Sequence, residues 1–465
     1  MADLAGALPR TALPRTALPG RLIPRERQQK AFWLGYDMVL ALLVMAAAGD
    51  MPNRWRVASL VWLLAYTMAV LRIMALWPAF FRMLRRNWQY LLYPAVCAAS
   101  VVWSLARPTS LVGAVQISMT VLIASYLGWR FKPQHLVLLL FATTLTGATA
   151  SMLNLGLGVF QPVFSDVGGL LGIYTNKNML GHYSLFALLI ALSLVLSTGA
   201  ETPPLARWIA LPALAICAAA VVLSKSMTAV VLMPCYAALI LMMNRERLPR
   251  SLRHLILMAL VGIVALAPML LTLAGIDPMA ELFAATGKDA SLTGRTDLWA
   301  IAADLIAQNP ISGYGYGAFW VNERFTPQHF EVIRAGNAAP SFHNFLADVG
   351  VGTGVIGMVA ILTLILTTLT RAFRAWRSSG SAMSVCWLVL SILPINVGMV
   401  EPFLYRQHEF MLGWMIMLGV SLGEWRGGPP RITKHDLPEH ELPGPVRAPA
   451  RWPGAAAGRE PETTI

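Results

Sequence analysis

"LRHLILMALVGIVALAPMLLTLA", residues 252–274, decides the class of the fold. It is apolar almost throughout and reaches the length of about 20 residues with which a single helix crosses a bilayer. The rest of the 465-residue chain repeats the theme: 57% of its residues are hydrophobic and only 13% are charged. An ordinary soluble domain carries about 25% charged residues. The sequence therefore reads as an all-α, polytopic membrane protein.

Working outward from this run, apolar spans are expected near 31–48, 56–76, 88–106, 108–129, 133–153, 179–199, 206–223, 227–243, 252–274, 345–370, 382–400 and 409–423. This gives about 12 transmembrane helices, an even number that puts both termini on one side. The basic residues choose the side. Arg82, Arg85, Arg86, Arg130, Lys132, the stretch "NRERLPRSLR" (244–253), Arg371, Arg374 and Arg377 fall on the face of the termini, which is then cytoplasmic. Net charge is +13, but the cations sit at the ends of apolar runs instead of along one soluble face. A nucleic-acid partner is therefore not expected, whereas membrane lipids are.

Five segments follow. Residues 1–30, with "RTALP" repeated at 10–14 and 15–19, read as a disordered basic cytoplasmic tail. A signal peptide is the competing reading, but the apolar run 31–48 is long for a signal core, so a retained first helix is expected. Residues 31–274 hold nine spans, 275–344 an extracytoplasmic loop, 345–423 three further spans, and 424–465 a disordered cytoplasmic tail. The four cysteines lie inside apolar segments and read as small buried hydrophobes. No Cys/His spacing resembles a zinc site, and no phosphate-binding loop or dinucleotide fingerprint appears in a supporting context; neither metal nor cofactor is expected.

A loop as long as 275–344 is uncommon unless it is functional or has structure of its own. Within it, Leu298, Ile301, Ala302, Leu305 and Ile306 mark one face of an amphipathic helix, stopped by "NP" at 309–310 and followed by the Gly-rich turn "SGYGYG". Thr293 is the expected N-cap, which puts Arg295 in the first turn. There a guanidinium and free backbone N–H groups together favour an anion such as a lipid phosphate or diphosphate. The competing reading pairs Arg295 with Asp297 or lets it snorkel to a headgroup.

His343 precedes the next apolar run, whose first turns carry Asp348 and several glycines expected to serve close helix packing. A neutral imidazole there can accept a hydroxyl proton; an interfacial His without that task is the alternative. Lys177 in "YTNKNMLGHY" and Lys225 in "VLSKSMTAVV" stand on the sparsely charged face, where an anionic ligand would balance them; snorkelling at the interface is the equal alternative for each. Glu401 and Arg406 could simply pair with each other. His182 and His408 read as plain polar contacts.

These residues resemble the O-antigen ligase and polysaccharide polymerase superfamily of bacterial inner-membrane glycosyltransferases. "TGRTDLW" (293–299) with "NPISGYGYGAF" (309–319) looks like its loop signature, and "HNFLADVGVGTGVIG" (343–357) is similar to its His-Asn motif. "WSLARPTSL" (103–111), "GIYTNKNMLG" (172–181) and "LSKSMTA" (223–229) resemble stretches of the exopolysaccharide-polymerase branch. The resemblance implies transfer of a glycan from undecaprenyl diphosphate to an acceptor hydroxyl on the periplasmic face. The acceptor would be a lipid-linked repeat or lipid A core, and a chain-length regulator is a further implied partner. It implies that Arg295 holds the diphosphate and His343 deprotonates or orients the acceptor, with Lys225, Lys177, Asn178, Asn344 and Trp299 as substrate contacts.

Two departures stand out: Met227 replaces a basic residue, whose charge Lys225 would supply, and Asn176 replaces a His. Polymerisation is favoured over ligation to lipid A core or to protein. A transporter or lipid flippase, the reading from a different class, would require internal symmetry and charged residues near mid-membrane.

Overall fold

The computed structural model describes residues 25–51, 57–166, 168–197, 202–244, 292–329 and 341–425, together with 249, 251, 252 and 255. The expected span 252–274, most of the N-terminal tail and nearly all of the C-terminal tail lie outside them. The architecture among the described residues is all-α. In chain order the helices are α1 (Arg25–Ala48), α2 (Ala58–Ala75), α3 (Trp77–Arg86), α4 (Leu92–Ser100), α5 (Arg107–Arg130), α6 (Pro133–Leu157), α7 (Lys177–Leu196), α8 (Pro204–Ser224), α9 (Met227–Met243), α10 (Leu292–Gln308), α11 (Phe345–Ser379), α12 (Ala382–Gly398) and α13 (Phe410–Glu424). The only β-type pairing among them is an isolated bridge between Phe164 and Leu170.

Among the described residues, six helices (α2, α5, α6, α7, α8 and α11) are long and apolar enough to cross a membrane, and shorter apolar helices cover Leu34–Ala48, Met227–Met243, Ala382–Gly398 and Phe410–Glu424. The chain is a multi-pass membrane protein. The expected span 88–106 is realised in pieces: a 3₁₀ turn at Trp88–Leu91, then α4, then turns. Before it, α3 carries Arg82, Arg85 and Arg86 on one side and buries Phe80, Met83 and Leu84 on the other. That two-sided pattern suits a helix lying at the membrane surface.

Burial sorts the bundle into centre and rim. Nearly every residue of α7 and α13 is buried, as expected of helices that are apolar all round. By contrast, α2 and α8 leave most of their apolar surface open, which suits contact with lipid. Asp37 on α1, fully buried, receives Tyr126 Oη at 2.6 Å and Arg130 Nε at 2.7 Å, with Arg72 Nε 3.5 Å away. Three helices are thereby tied through one carboxylate. Cys97, Cys217 and Cys386 are buried as expected, but Cys235 is exposed, on the open side of α9.

The longest helix among the described residues, α11, is broken at Gly354 (φ 64°, ψ −163°), a conformation open essentially to glycine alone. The Gly-rich turn after α10 docks on the break. Tyr314 N and Gly315 N donate to the Val351 and Gly352 carbonyls, while Val355 N donates to Pro310 O. Backbone groups freed inside a membrane helix must find partners in the protein, and here the turn supplies them. The glycines of this stretch thus admit a loop as well as a neighbouring helix: Gly350 abuts Ile306 of α10, whereas Gly354 abuts the Ile311 backbone.

The "WSLARPTSL" segment holds the same turn from its other side. Ser110 Oγ donates to Tyr316 O at 2.7 Å, Leu105 N to Tyr314 O and Trp103 Nε1 to Ser312 O.

Candidate functional site

The face of α10 that carries the expected periodicity is the face it buries. Leu298, Ala302 and Leu305 pack with Tyr314, Phe319, Phe325, Phe342 and Val351, so the helix rests on the turn and the start of α11. The helix begins at Leu292, which puts Thr293 inside its first turn instead of at the cap. Arg295 remains at the N-terminal end.

His343 is held by the loop before α11. Ser341 Oγ donates to Asp348 Oδ2 at 3.0 Å, Phe342 N donates to the same carboxylate, and His343 N donates to Ser341 Oγ at 2.9 Å. Trp299 Nε1 donates to Phe342 O at 3.0 Å, linking α10 to this loop. Asn344 caps α11, accepting from Leu346 N and Ala347 N. Trp299 and Asn344, both expected as substrate contacts, therefore build the frame around His343. The strain of His343 itself (φ 50°) belongs to the left-handed region that non-glycine residues seldom enter.

The first turn of α7 completes the cluster. Asn176 caps it, accepting from Asn178 N at 2.8 Å, so the Asn that replaces the branch's His does what Asn does well at a helix start. Thr175, just before it, bonds Asp50 at the end of α1 through both its backbone N–H and its hydroxyl.

Three of the expected residues meet on a carboxylate that sequence reasoning had placed elsewhere. Glu401, in the loop between α12 and α13, receives Arg295 Nη2 at 3.2 Å and Asn178 Nδ2 at 3.0 Å on Oε1, and its Oε2 lies 3.4 Å from His343 Nδ1. The pairing of Glu401 with Arg406 is not what forms: Arg406 bonds Tyr405 instead. The reason is distance along the fold. Glu401 faces the starts of α7, α10 and α11, whereas Arg406 turns toward Tyr405 and Asp348. Burial alone would raise the Glu401 carboxyl, but the His343 ring and the Arg295 guanidinium overcome it and hold the group down to about 2. It sets an anion between Arg295, His343 and the starts of three helices. The signal that could have found it was a question of charge balance: what, on the sparsely charged face, sits opposite Arg295?

Lys177 and Lys225 flank one turn near this cluster. A Cβ on Gly169 would meet Lys177 Cδ at 2.5 Å, and one on Gly168 would meet Lys225 Nζ at 3.3 Å. Lys177 is buried in the first turn of α7, while Lys225 ends α8 in the left-handed conformation (φ 51°). Met227, where the family has a base, begins α9 two residues on.

Comparisons with known proteins bear on the family resemblance. Residues 212–362 match the family model described as O-antigen ligase, a stretch that includes Lys225, Arg295 and His343 and ends before Glu401. The chain is also 30% identical over 205 residues to the exopolysaccharide production protein ExoQ of Rhizobium meliloti (strain 1021). That match covers 42% of this chain and 44% of the relative, so the chain spans less than half the length of the curated relative it matches. Together the two comparisons support the resemblance to the O-antigen ligase and polysaccharide polymerase superfamily, on its exopolysaccharide side.

Proposed function

We propose that the protein is a membrane glycosyltransferase that polymerises undecaprenyl-diphosphate-linked repeat units into exopolysaccharide or O-antigen. The observation that carries this reading is the convergence of Arg295, His343 and Asn178 on Glu401, with Lys177 in the same helical turn as Asn178. One end of the bundle thus offers a fixed guanidinium, an imidazole and three helix N-termini, which suits a diphosphate leaving group beside an acceptor hydroxyl.

In this mechanism the acceptor hydroxyl attacks the anomeric carbon of the donor glycan. The bond from that carbon to the diphosphate oxygen breaks, and undecaprenyl diphosphate leaves with the bonding electrons. His343 takes the hydroxyl proton; with Glu401 beside Nδ1, the proton-bearing nitrogen is Nδ1 and Nε2 is left to act as base. Arg295 meets the charge growing on the diphosphate. Asn178, whose Oδ1 is buried without a hydrogen-bond partner among the described residues, is placed to accept from a substrate hydroxyl. The reading needs no metal ion or cofactor.

The same reading places the cluster on the periplasmic face of a bacterial inner membrane, with both termini cytoplasmic. Its support is that Arg82, Arg85, Arg86, Arg130, Lys132 and Arg371 gather at the end of the bundle away from the cluster.

Ligation to lipid A core is the second reading, favoured by the description of the matched family model. Purified protein in nanodiscs, given the host's lipid-linked repeat unit and read on a gel, separates the two. A polymerase yields a ladder from donor alone, and Arg295→Ala and His343→Ala abolish it while remaining folded. A donor consumed only after lipid A core or an acceptor protein is added establishes a ligase or protein transferase. No transfer with any acceptor, together with movement of labelled lipid-linked sugar across a proteoliposome membrane, would establish a transporter.

A further inference from the structure

At the end of the bundle opposite Glu401, a cavity of about 600 Å³ opens between the start of α6, the end of α11, the start of α12 and the end of α13. Its lining includes Lys132, Arg374, Ser381, Trp387 and Trp425 and, among the described residues, no carboxylate. Two cations without an acid in the wall make a pocket of one sign.

The hydrogen-bond donors point the same way. Trp387 Nε1 and Trp425 Nε1 are both buried, and neither has a hydrogen-bond partner among the described residues. A buried indole N–H can only donate, and leaving one unmet costs free energy. Lys132 lies over the Trp425 ring, 5.4 Å from its centroid, which fixes one cation at the rim. The 25-residue helix α6 starts there without a side-chain cap, adding free backbone N–H groups and the positive end of its dipole.

We infer that this cavity binds the headgroup of an anionic phospholipid, its phosphate seated between Lys132 and Arg374 and within reach of the two indole N–H groups. A lipid suits it better than free phosphate for two reasons. The volume far exceeds one phosphate, and Phe373, next to Arg374 in the α11 sequence, is exposed and offers an apolar side chain to an acyl chain. Indole rings at the ends of membrane helices commonly hold this level of the bilayer. The site is independent of the proposed transfer chemistry.

Native mass spectrometry of the full-length, delipidated protein in detergent tests the inference, using phosphatidylglycerol and phosphatidylcholine at equal concentration. Phosphatidylglycerol should be retained preferentially. Arg374→Ala and Trp387→Phe, the latter keeping the ring without the donor, should each weaken retention about tenfold, the size of one charge-assisted or buried hydrogen bond. Arg85→Ala, an exposed cation at the same end but outside the cavity, should leave retention unchanged; circular dichroism of each variant confirms the fold. Equal retention of the two lipids, or an equal loss in the Arg85 variant, would overturn the site. Displacement of the lipid by millimolar inorganic phosphate would reassign it to free phosphate and overturn the lipid.

Discussion

His343 Nδ1 and Glu401 Oε2 stand 3.4 Å apart, and the other oxygen of that carboxylate holds Arg295. One acid thus orients both the proposed base and the proposed anion-binding cation, although 58 and 106 positions separate them from it. In the proposed mechanism Glu401 is a positioning residue. Glu401→Gln keeps the size and removes the charge, and transfer should fall about 10- to 100-fold, the usual range for losing a partner that orients a working side chain. A lower rate matched by an equal loss of folded protein, read by circular dichroism, would mean that Glu401 only holds the fold.

The same carboxylate makes a statement about stability. Its folded value of about 2 lies below the ordinary 4.5, so the stability it contributes is complete above 4.5 and is lost as pH falls through about 2. Any loss of activity in mild acid therefore has another origin.

His408 is such an origin for stability. It stacks on Trp62 with ring centroids 4.2 Å apart, bonds Tyr66, and burial lowers it from 6.5 to about 4. The folded protein refuses a proton that the unfolded chain accepts. Stability from neutral His408 is therefore full above 6.5 and declines as pH drops toward 4. Between roughly pH 7.5 and pH 5, the wild-type Tm should fall more than that of His408→Asn, a residue that tolerates the left-handed backbone found here (φ 63°). Parallel Tm curves for the two proteins would rule this out.

How far the sequence reaches can be seen by comparing Arg295 with Glu401. Arg295 was legible because it sits in a local pattern: a helix start, a buried stripe and a Gly-rich stop, all within a few turns. His343 was legible for a similar reason, at the edge of an apolar run. Glu401 carries no local signal, since what defines it is the meeting of three helix starts, and that is a property of the bundle. The membrane helices follow from hydropathy, but the break at Gly354 does not. Its cause is a turn some forty residues upstream that supplies backbone partners. Trp299 and Asn344 are conspicuous in the sequence too, but their part in the frame, a bond to the Phe342 carbonyl and the cap of α11, shows only in the fold.

The two lysines test how the chain manages without a base at Met227. Lys177 and Lys225 both approach the Gly168–Gly169 turn, and either could give the diphosphate its second contact. Replacing Lys177 by Met keeps the buried stem and removes the charge, and should raise the KM for lipid-linked donor about tenfold, one charge-assisted contact. Lys225→Asn, which suits the left-handed backbone, should do the same if Lys225 stands in for the missing base. Steady-state kinetics on both variants decide it: an unchanged KM in Lys225→Asn leaves Lys177 alone in that role.

Gly354 tests the break in α11 that seats the Gly-rich turn. A methyl group there would come within 2.2 Å of Ile311 O and 2.4 Å of Ile311 C, backbone atoms that cannot rotate away. The dihedral pair itself also disfavours any side chain. Gly354→Ala should therefore cost at least about 2–3 kcal/mol, combining strain and overpacking. Gly380, at a comparable positive φ of 64° but with nothing within 4 Å, is the control. Gly380→Ala pays backbone strain alone, about 1 kcal/mol. Thermal unfolding of the two variants in the same detergent should rank Gly354→Ala well below Gly380→Ala. A matching pair of Tm values would mean that the turn does not depend on the close approach at Ile311, and that the loop carrying Tyr314 and Tyr316 docks on α11 by side chains instead of backbone.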